Sequence, residues 1–259
     1  MIELTACYSF SGVPYVTNES LDAYAEILVA DFAPALLTKP GQINAEEFIE
    51  YYLGLNTEYH RIQYDRKVLG MTAFNNGYIQ VANEKTGRPE PIPVTKGTVI
   101  IDTSLTVKYN LPRLRFTTMH EGSHWLLHRQ AFDVNNPLGY VGAYENQFLA
   151  AKEGRIDYSR SQKERTDIER IERQADFLSS AILMPRPALR TAYRMFFKCH
   201  DEKPRRIFRG GGSRTDEMFA IELPKYVARL FGVSERAALI RLEKLTAIVD
   251  SRKWKGSFV

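Results

Sequence analysis

The sequence predicts an α+β fold in which a small mixed sheet is followed by helices. Short segments with the composition of β-strands are concentrated between Tyr59 and Asp102. Two segments with a helical spacing of apolar residues follow, at about 113–130 and 166–184. Further helices are predicted after residue 217, so most of the helical content comes after the sheet.

Two helices are predicted before the sheet. Leu21–Phe32 has apolar residues along one side, as an amphipathic helix does. Asn44 followed three residues later by Glu47 has the pattern of a capping box, and the helix that it opens is expected to end at Gly54.

The strand region contains a predicted hairpin and a predicted loop. The segments 70–74 and 78–81 flank Asn75-Asn76-Gly77, whose composition favours a tight hairpin turn. The polar segment 84–93 contains proline and glycine and is therefore predicted to be a loop. The apolar segment 99–102 is predicted to be a short strand.

The two long helices after the sheet have recognisable ends. The first is predicted to begin at Asn110, a capping residue, with Pro112 in its first turn and no further proline up to Gln130. The second, at about 166–184, is predicted to end where Pro185 follows.

A His-Glu-x-x-His sequence occupies residues 120–124, within the first of these helices. Residues four apart share one face of a helix, so His120 and His124 can bind the same metal ion. Glu121 lies beside them, where it can accept a proton from the attacking water. The structural alternative is that both histidines only make hydrogen bonds.

A zinc site usually needs a third protein ligand and keeps one open position. Glu172, on the second helix, is the candidate third ligand, and Asp176 is placed to accept a hydrogen bond from a ligand histidine. The spacing leaves Glu169 open as a competing ligand. The alternative is that these carboxylates are solvated charges in a highly charged segment.

The sequence leaves the identity of the metal and the role of His128 open. Zn²⁺ is the default metal for a His/His/Glu set, with Mn²⁺ or Fe²⁺ as alternatives. His128, one turn after His124, is a candidate contact to the substrate or transition state. The alternative for His128 is packing or a structural hydrogen bond.

These segments resemble the ImmA/IrrE family of metallo-endopeptidases. Residues 115–128 are similar to the family's active-site helix, and residues 172–185 are similar to its second signature. The resemblance implies a zincin-like fold and makes Glu172 the third zinc ligand. This chain departs from the family in having Asp176 where asparagine is usual.

The resemblance also implies a kind of substrate. Members of the family often cleave helix-turn-helix repressors at specific sites inside the cell, so a regulatory protein of this kind is the expected partner. Two stretches depart from the family. The long connection between the two signatures predicts an insertion at about 132–165, and the stretch 196–216 has no evident counterpart.

The composition is typical of a globular protein of the cytoplasm. Hydrophobic residues make up 44% and charged residues 25% of the chain. No apolar run long enough for a membrane span and no secretory signal is recognisable, so no membrane partner is expected. Cys7 and Cys199 are too few for a disulfide framework, which favours a reducing compartment.

Three segments are predicted: a peptidase domain at 1–195, a basic glycine-rich linker or loop at 196–216, and a C-terminal helical segment at 217–259. The last segment contains two predicted helices, at about 224–231 and after Ser234, which resemble a helix-turn-helix. We favour their packing on the peptidase domain, because a short helix pair cannot bury its own core.

The C-terminal part is strongly basic. Residues 186–259 contain 17 Lys and Arg against 8 Asp and Glu, a net charge of +9, so the rest carries −5 of the total of +4. Such a charge predicts a polyanionic partner, and the alternative is a solvated surface. Direct DNA contact through this part is an alternative that we do not favour.

A second hypothesis for the whole chain is a DNA- or protein-binding regulator with a structural or vestigial metal site. Glu121 argues against it, because a purely structural site has no need of a base.

Overall fold

The computed structural model describes residues 2, 4–9, 12–65, 67–132, 148–152 and 167–253, with the backbone alone for 148–152. The chain forms two compact units: a first unit of Met1–Leu28 with Asn44–Ile182, and a second unit of Val29–Ile43 with Leu183–Val259. The described residues contain eight α-helices and several small sheets. The predicted α+β class is therefore confirmed.

The described α-helices are α1 (Asn18–Phe32), α2 (Pro34–Thr38), α3 (Ala45–Glu47), α4 (Leu111–His128), α5 (Asp167–Leu183), α6 (Arg186–Cys199), α7 (Arg214–Phe231) and α8 (Glu235–Lys244). The described strands are β1 (Cys7–Tyr8), β2 (Pro14–Tyr15), β3 (Asn56–His60), β4 (Val68–Ala73), β5 (Gly77–Asn83), β6 (Arg88–Val94), β7 (Thr98–Asp102), β8 (Phe148–Lys152), β9 (Ile207–Arg209) and β10 (Ile248–Asp250).

The main sheet of the first unit is mixed and has the strand order β3-β7-β4-β8. β3 runs parallel to β7, whereas β4 is antiparallel to both of its neighbours, β7 and β8. β7 is buried along its whole length, and its three central residues, Val99–Ile101, are apolar. The predicted small mixed sheet is thus confirmed.

The predicted hairpin across Asn75-Asn76-Gly77 is wrong. β4 belongs to the main sheet, whereas β5 pairs with β6 in a separate two-stranded sheet. The two asparagine side chains bind outside the turn: Asn75 donates to the carbonyl of Phe132 and Asn76 accepts from the amide of Lys96, both at 2.8 Å. The turn composition identified a change of direction but not the pairing of the strands.

The segment 84–93 was predicted to be a loop, and this is wrong from Arg88 onward because β6 begins there. β6 has proline at alternate positions 89, 91 and 93. Successive N–H groups of a strand point to opposite edges, so all three missing donors lie on one edge. The other edge keeps its antiparallel pairing with β5.

The two predicted long helices of the first unit are confirmed as α4 and α5, with bounds within a few residues of those expected. Pro112 lies in the first turn of α4, as predicted. Asn110 occupies the N-cap position, but its side chain donates to the carbonyl of Ser104 at 2.8 Å and does not cap the helix. α4 packs on β4 and β7, which places the motif of residues 120–124 against the sheet.

Near the start of the chain, Asn44 caps α3 by accepting from the amides of Glu46 and Glu47. The helix does not continue as a regular α-helix, since Phe48–Tyr52 forms a π-helical turn.

The second unit contains α2, α6, α7 and α8 with the parallel pair of β9 and β10. Gly232 ends α7 in the left-handed conformation with φ of 64°, and the Ser234 hydroxyl caps α8 by accepting from the Ala237 amide. α7 begins at Arg214, earlier than predicted, and contains Pro224. The stretch 196–216 includes the end of α6, all of β9 and the start of α7.

The predicted boundaries at 195 and 216 stay a prediction. The predicted insertion at about 132–165 lies outside the described residues, apart from Phe132 and the backbone of β8. None of the described helices combines the length and the apolar character needed to cross a membrane.

Candidate metal centre

Three side chains from α4 and α5 converge at one point in the first unit. The Nε2 atoms of His120 and His124 are 2.9 Å apart. The carboxylate of Glu172 lies 3.4 Å from Nε2 of His120 through Oε2 and 3.6 Å from Nε2 of His124 through Oε1. The structure therefore brings together the three ligands predicted from the sequence.

The spacing of these atoms fits a zinc-sized cation. Tetrahedral ligands that are each about 2.1 Å from zinc lie about 3.4 Å from one another. The two Nε2 atoms are 2.9 Å apart, and they lie 3.4 and 3.6 Å from the two different oxygens of the Glu172 carboxylate, so the nearest separations are close to that value. His120, His124 and Glu172 form a group that could hold a metal ion. Glu169, the competing ligand, is exposed and lies outside this group.

Asp176 fixes the orientation of His120. Its Oδ1 atom lies 3.0 Å from Nδ1 of His120. A carboxylate accepts hydrogen bonds, so Nδ1 carries the hydrogen and the Nε2 lone pair of a neutral His120 faces the other ligands. This is the geometry that the sequence predicted for Asp176.

His128 lies behind His124 and is completely buried. Its Nδ1 atom is 3.1 Å from Nδ1 of His124, and its Nε2 atom is 3.0 Å from Oε1 of Gln174. His128 therefore contacts the Nδ1 side of the His124 ring, whereas Nε2 of His124 faces the other proposed ligands. The geometry favours the structural hydrogen bond that was the alternative for His128 over a contact to the substrate.

The three histidines have different protonation preferences in the metal-free protein. Burial lowers the pKa of His120, but hydrogen bonds and charges from Asp176 and Glu172 outweigh burial and raise the pKa well above its usual value. Burial, with the charges of His120 and His128, lowers the pKa of His124 well below its usual value. Burial lowers the pKa of His128 to about 4, although the hydrogen bond to Gln174 opposes it.

A positive charge, either a proton or a metal ion, is therefore stabilised between the Nε2 atoms of His120 and His124 and the carboxylate of Glu172. If both rings are neutral with their hydrogens on Nδ1, the two Nε2 lone pairs and the carboxylate of Glu172 face one another without a donor. A proton on His120 relieves this repulsion in the metal-free protein, and a metal cation does so in its place. The side chain of Glu172 is 35% exposed, whereas those of His120 and His124 are 6% and 0% exposed, so the group opens to solvent beside α5.

Glu121 is completely buried between α4 and β4. Thr72 of β4 donates a hydrogen bond of 2.7 Å to Oε2 of Glu121. Gly70 of the same strand leaves space for this carboxylate, because a Cβ atom there would lie 2.7 Å from Oε1 of Glu121. The sheet thus holds the glutamate of the motif.

Thr72, Gly70 and Gln174 were missed by the sequence analysis. Thr72 and Gly70 are about fifty residues from Glu121, and nothing in the local sequence of β4 indicates that they meet it. Gln174 lies between Glu172 and Asp176, so its position near the proposed ligands was the available signal.

Comparison with protein families agrees with this geometry. The model of the peptidase M78 family, described as the IrrE N-terminal-like domain, matches residues 94–243, which is more than half of the chain. The chain belongs to this family. The matched residues include the whole motif at 120–124 together with Glu172 and Asp176.

Membership of this family supports a peptidase and indicates a metallopeptidase. The three-residue group on α4 and α5 could hold a metal ion. A search of the curated proteins found no match.

Proposed function

We propose that this chain is a zinc-dependent endopeptidase of zincin-like fold that cleaves a regulatory protein in the cytoplasm. A helix-turn-helix repressor is the substrate class that we favour. The observation that carries the proposal is that His120, His124 and Glu172 come together at distances suited to metal ligands. The buried Glu121 follows His120 directly in the sequence.

The proposed roles follow from the contacts of each side chain. Zinc, when bound by His120, His124 and Glu172, polarises the scissile carbonyl and makes the attacking water more acidic. Glu121 accepts the proton of that water on its carboxylate and returns it to the leaving amine. Thr72 restricts the rotation of the Glu121 carboxylate, and Asp176 keeps the hydrogen of His120 on Nδ1.

Metal content is the first test of the proposal. We expect about one zinc per wild-type chain, as for a single His/His/Glu site, and a large loss of zinc in Glu172→Ala, measured by elemental mass spectrometry. Glu169→Ala is the matched control, because it removes an exposed carboxylate from the preceding turn of α5. Wild-type protein that stays free of metal after zinc addition would contradict the proposal.

The second test separates metal binding from catalysis. Glu121→Gln retains the shape of the side chain and an acceptor for Thr72, so zinc binding is expected to persist while hydrolysis is abolished. The substrate for the assay is the helix-turn-helix protein encoded nearest to the gene, followed by electrophoresis and mass spectrometry. Equal cleavage by wild type and Glu121→Gln would exclude Glu121 as the base.

A second candidate function, DNA binding, is favoured by one observation in the second unit. α6 contains four basic residues at intervals of four and no acidic residue: Arg186, Arg190, Arg194 and Lys198. The last three are exposed and form no ion pair within the described part of the chain. Residues four apart share a helix face with a rise of about 6 Å, so this face suits a row of phosphates.

A further inference from the structure

We propose that Gln174 and His128 are positioning residues that hold His124 in the tautomer required of a metal ligand. This inference rests on the metal site proposed above and adds two residues to it. It is carried by a hydrogen-bonded chain that begins at a backbone carbonyl and ends at Nε2 of His124.

The first link fixes the side-chain amide of Gln174. Its Nε2 atom lies 2.7 Å from the carbonyl oxygen of Pro14, which can only accept a hydrogen bond. The amide nitrogen of Gln174 must therefore point to Pro14, and Oε1 must point to Nε2 of His128 at 3.0 Å. Gln174 is completely buried, so solvent does not compete for these bonds.

The second link fixes the tautomers of two histidines. Since Oε1 of Gln174 is an acceptor, Nε2 of His128 carries the hydrogen, and Nδ1 of the neutral ring is unprotonated. The partner of that atom is Nδ1 of His124 at 3.1 Å, which must then donate. A neutral His124 with its hydrogen on Nδ1 has its lone pair on Nε2, the atom that faces His120 and Glu172.

The anchor of the chain is held by neighbouring contacts. Pro14 belongs to β2, and the next residue, Tyr15, lies under the guanidinium of Arg170 at 4.6 Å from the ring centroid. Arg173 of α5 donates to the side chain of Asn18 at 3.2 Å. These two contacts, from residues just before Gln174 in α5, join α5 to the N-terminal segment.

The two ligand histidines are thus oriented by different means. His120 is oriented directly by the carboxylate of Asp176, and His124 is oriented through the neutral His128 by the amide of Gln174. A neutral chain fixes the ring of His124 without placing a second carboxylate, besides that of Asp176, behind the two ligand histidines. Residues that orient metal ligands in this way typically change metal affinity about ten- to a hundredfold when replaced.

The direct test is the tautomer of each ring in the metal-free wild-type protein with ¹⁵N-labelled histidine. Long-range ¹H–¹⁵N correlation spectra distinguish the two nitrogens, and single His→Gln variants assign the five rings. We expect the hydrogen on Nδ1 of His124 and on Nε2 of His128. A wild-type spectrum with His124 protonated on Nε2 would overturn the inference.

The second test compares two substitutions of Gln174. Gln174→Met keeps the size of the side chain but removes the acceptor for His128, and we expect the zinc dissociation constant to rise about ten- to a hundredfold. Gln174→Glu keeps an acceptor for His128 but loses the donor to the carbonyl of Pro14, so its zinc affinity is expected to lie between those of wild type and Gln174→Met. Affinity is measured by competition with a chromophoric chelator, using zinc alone as the ligand.

The outcomes separate this inference from the proposed function. Wild-type zinc affinity and an unchanged His124 tautomer in Gln174→Met would overturn the roles of Gln174 and His128 but not the peptidase. Tight zinc binding with the expected tautomers, but no hydrolysis of the repressor, would overturn the proposed cleavage of the repressor and leave the inference intact. If Gln174→Met does not fold, the wild-type tautomers decide the matter alone.

Discussion

The hydroxyl of Thr72 donates a 2.7 Å hydrogen bond to Oε2 of Glu121, so the strand next to the motif helix holds the glutamate that we propose as the base. Both residues are completely buried. A hydrogen bond to a buried charged group contributes more than one between neutral groups, because an unpartnered carboxylate is costly to bury.

Thr72→Val is expected to impair catalysis without removing the metal. Valine has the same shape but no donor, so the Glu121 carboxylate loses its orienting contact. We expect kcat to fall about tenfold, which corresponds to roughly 1.4 kcal/mol in the activation free energy, with unchanged zinc affinity. Thr72→Ser retains the hydroxyl and is the matched control. Equal values of kcat for the valine and serine variants would contradict the role of Thr72.

Gly70→Ala should displace Glu121. The added Cβ would lie 2.7 Å from Oε1 of Glu121 and 2.8 Å from Cγ2 of Thr117. Both distances are shorter than those at which a Cβ atom normally approaches another heavy atom. Because the substitution does not touch the three proposed ligands, we expect zinc to remain bound while hydrolysis is largely lost. Gly211→Ala is the control, since its Cβ would meet its nearest neighbour, the carbonyl of Phe208, at 3.4 Å. Normal hydrolysis by Gly70→Ala would show that Glu121 does not need this position.

Zinc affinity is expected to increase with pH, because zinc competes with a proton on His120. Asp176 strengthens this dependence because it raises the pKa of His120. The pKa of His120 is raised well above its usual value, against the effect of burial, by hydrogen bonds and charges from Asp176 and Glu172. The raised pKa favours a proton on His120 in the metal-free protein, and zinc must displace that proton. Below the pKa of His120 the affinity should rise about tenfold per pH unit, with about one proton released per zinc.

The measurement is titration calorimetry in two buffers of different ionisation enthalpy, which gives the number of protons released. Asp176→Asn keeps an acceptor for Nδ1 of His120 but removes the charge, so the pKa of His120 should fall and fewer protons should be released at pH 7. The same proton release from wild type and Asp176→Asn would contradict the assignment.

The sequence predicted which side chains come together as the proposed metal ligands, because helical spacing is a local property. His120 and His124 had to share a face once α4 was recognised, and the resemblance to the family selected Glu172 over Glu169. The contacts of Thr72 and Gly70 with Glu121 were not predictable, since they depend on which strand packs against α4. The false hairpin has the same origin, because the turn at Asn75 does not determine whether β5 pairs with β4 or with β6.

The hydrogen bond between Gln174 and His128 could be found only from the structure. Both residues lie on predicted helices, but the direction of each hydrogen bond depends on the carbonyl of Pro14, which is 160 residues from Gln174 in the chain. Sequence patterns locate the ligands of a metal site, and long-range packing determines their orientation.

The second candidate function, DNA binding, predicts that the basic face of α6 contacts DNA phosphates. Replacing Arg190, Arg194 and Lys198 by glutamine should weaken binding to duplex DNA and reduce the slope of log affinity against log salt by about 2 to 3, because each phosphate contact contributes about 0.9. The control triple, Arg214, Arg229 and Arg236 to glutamine, removes the same charge from exposed positions on α7 and α8. Fluorescence anisotropy at several salt concentrations measures both effects. Equal losses in the two triples would mean that net charge, and not the α6 face, determines binding, and no binding by wild type would exclude DNA as a partner of this face.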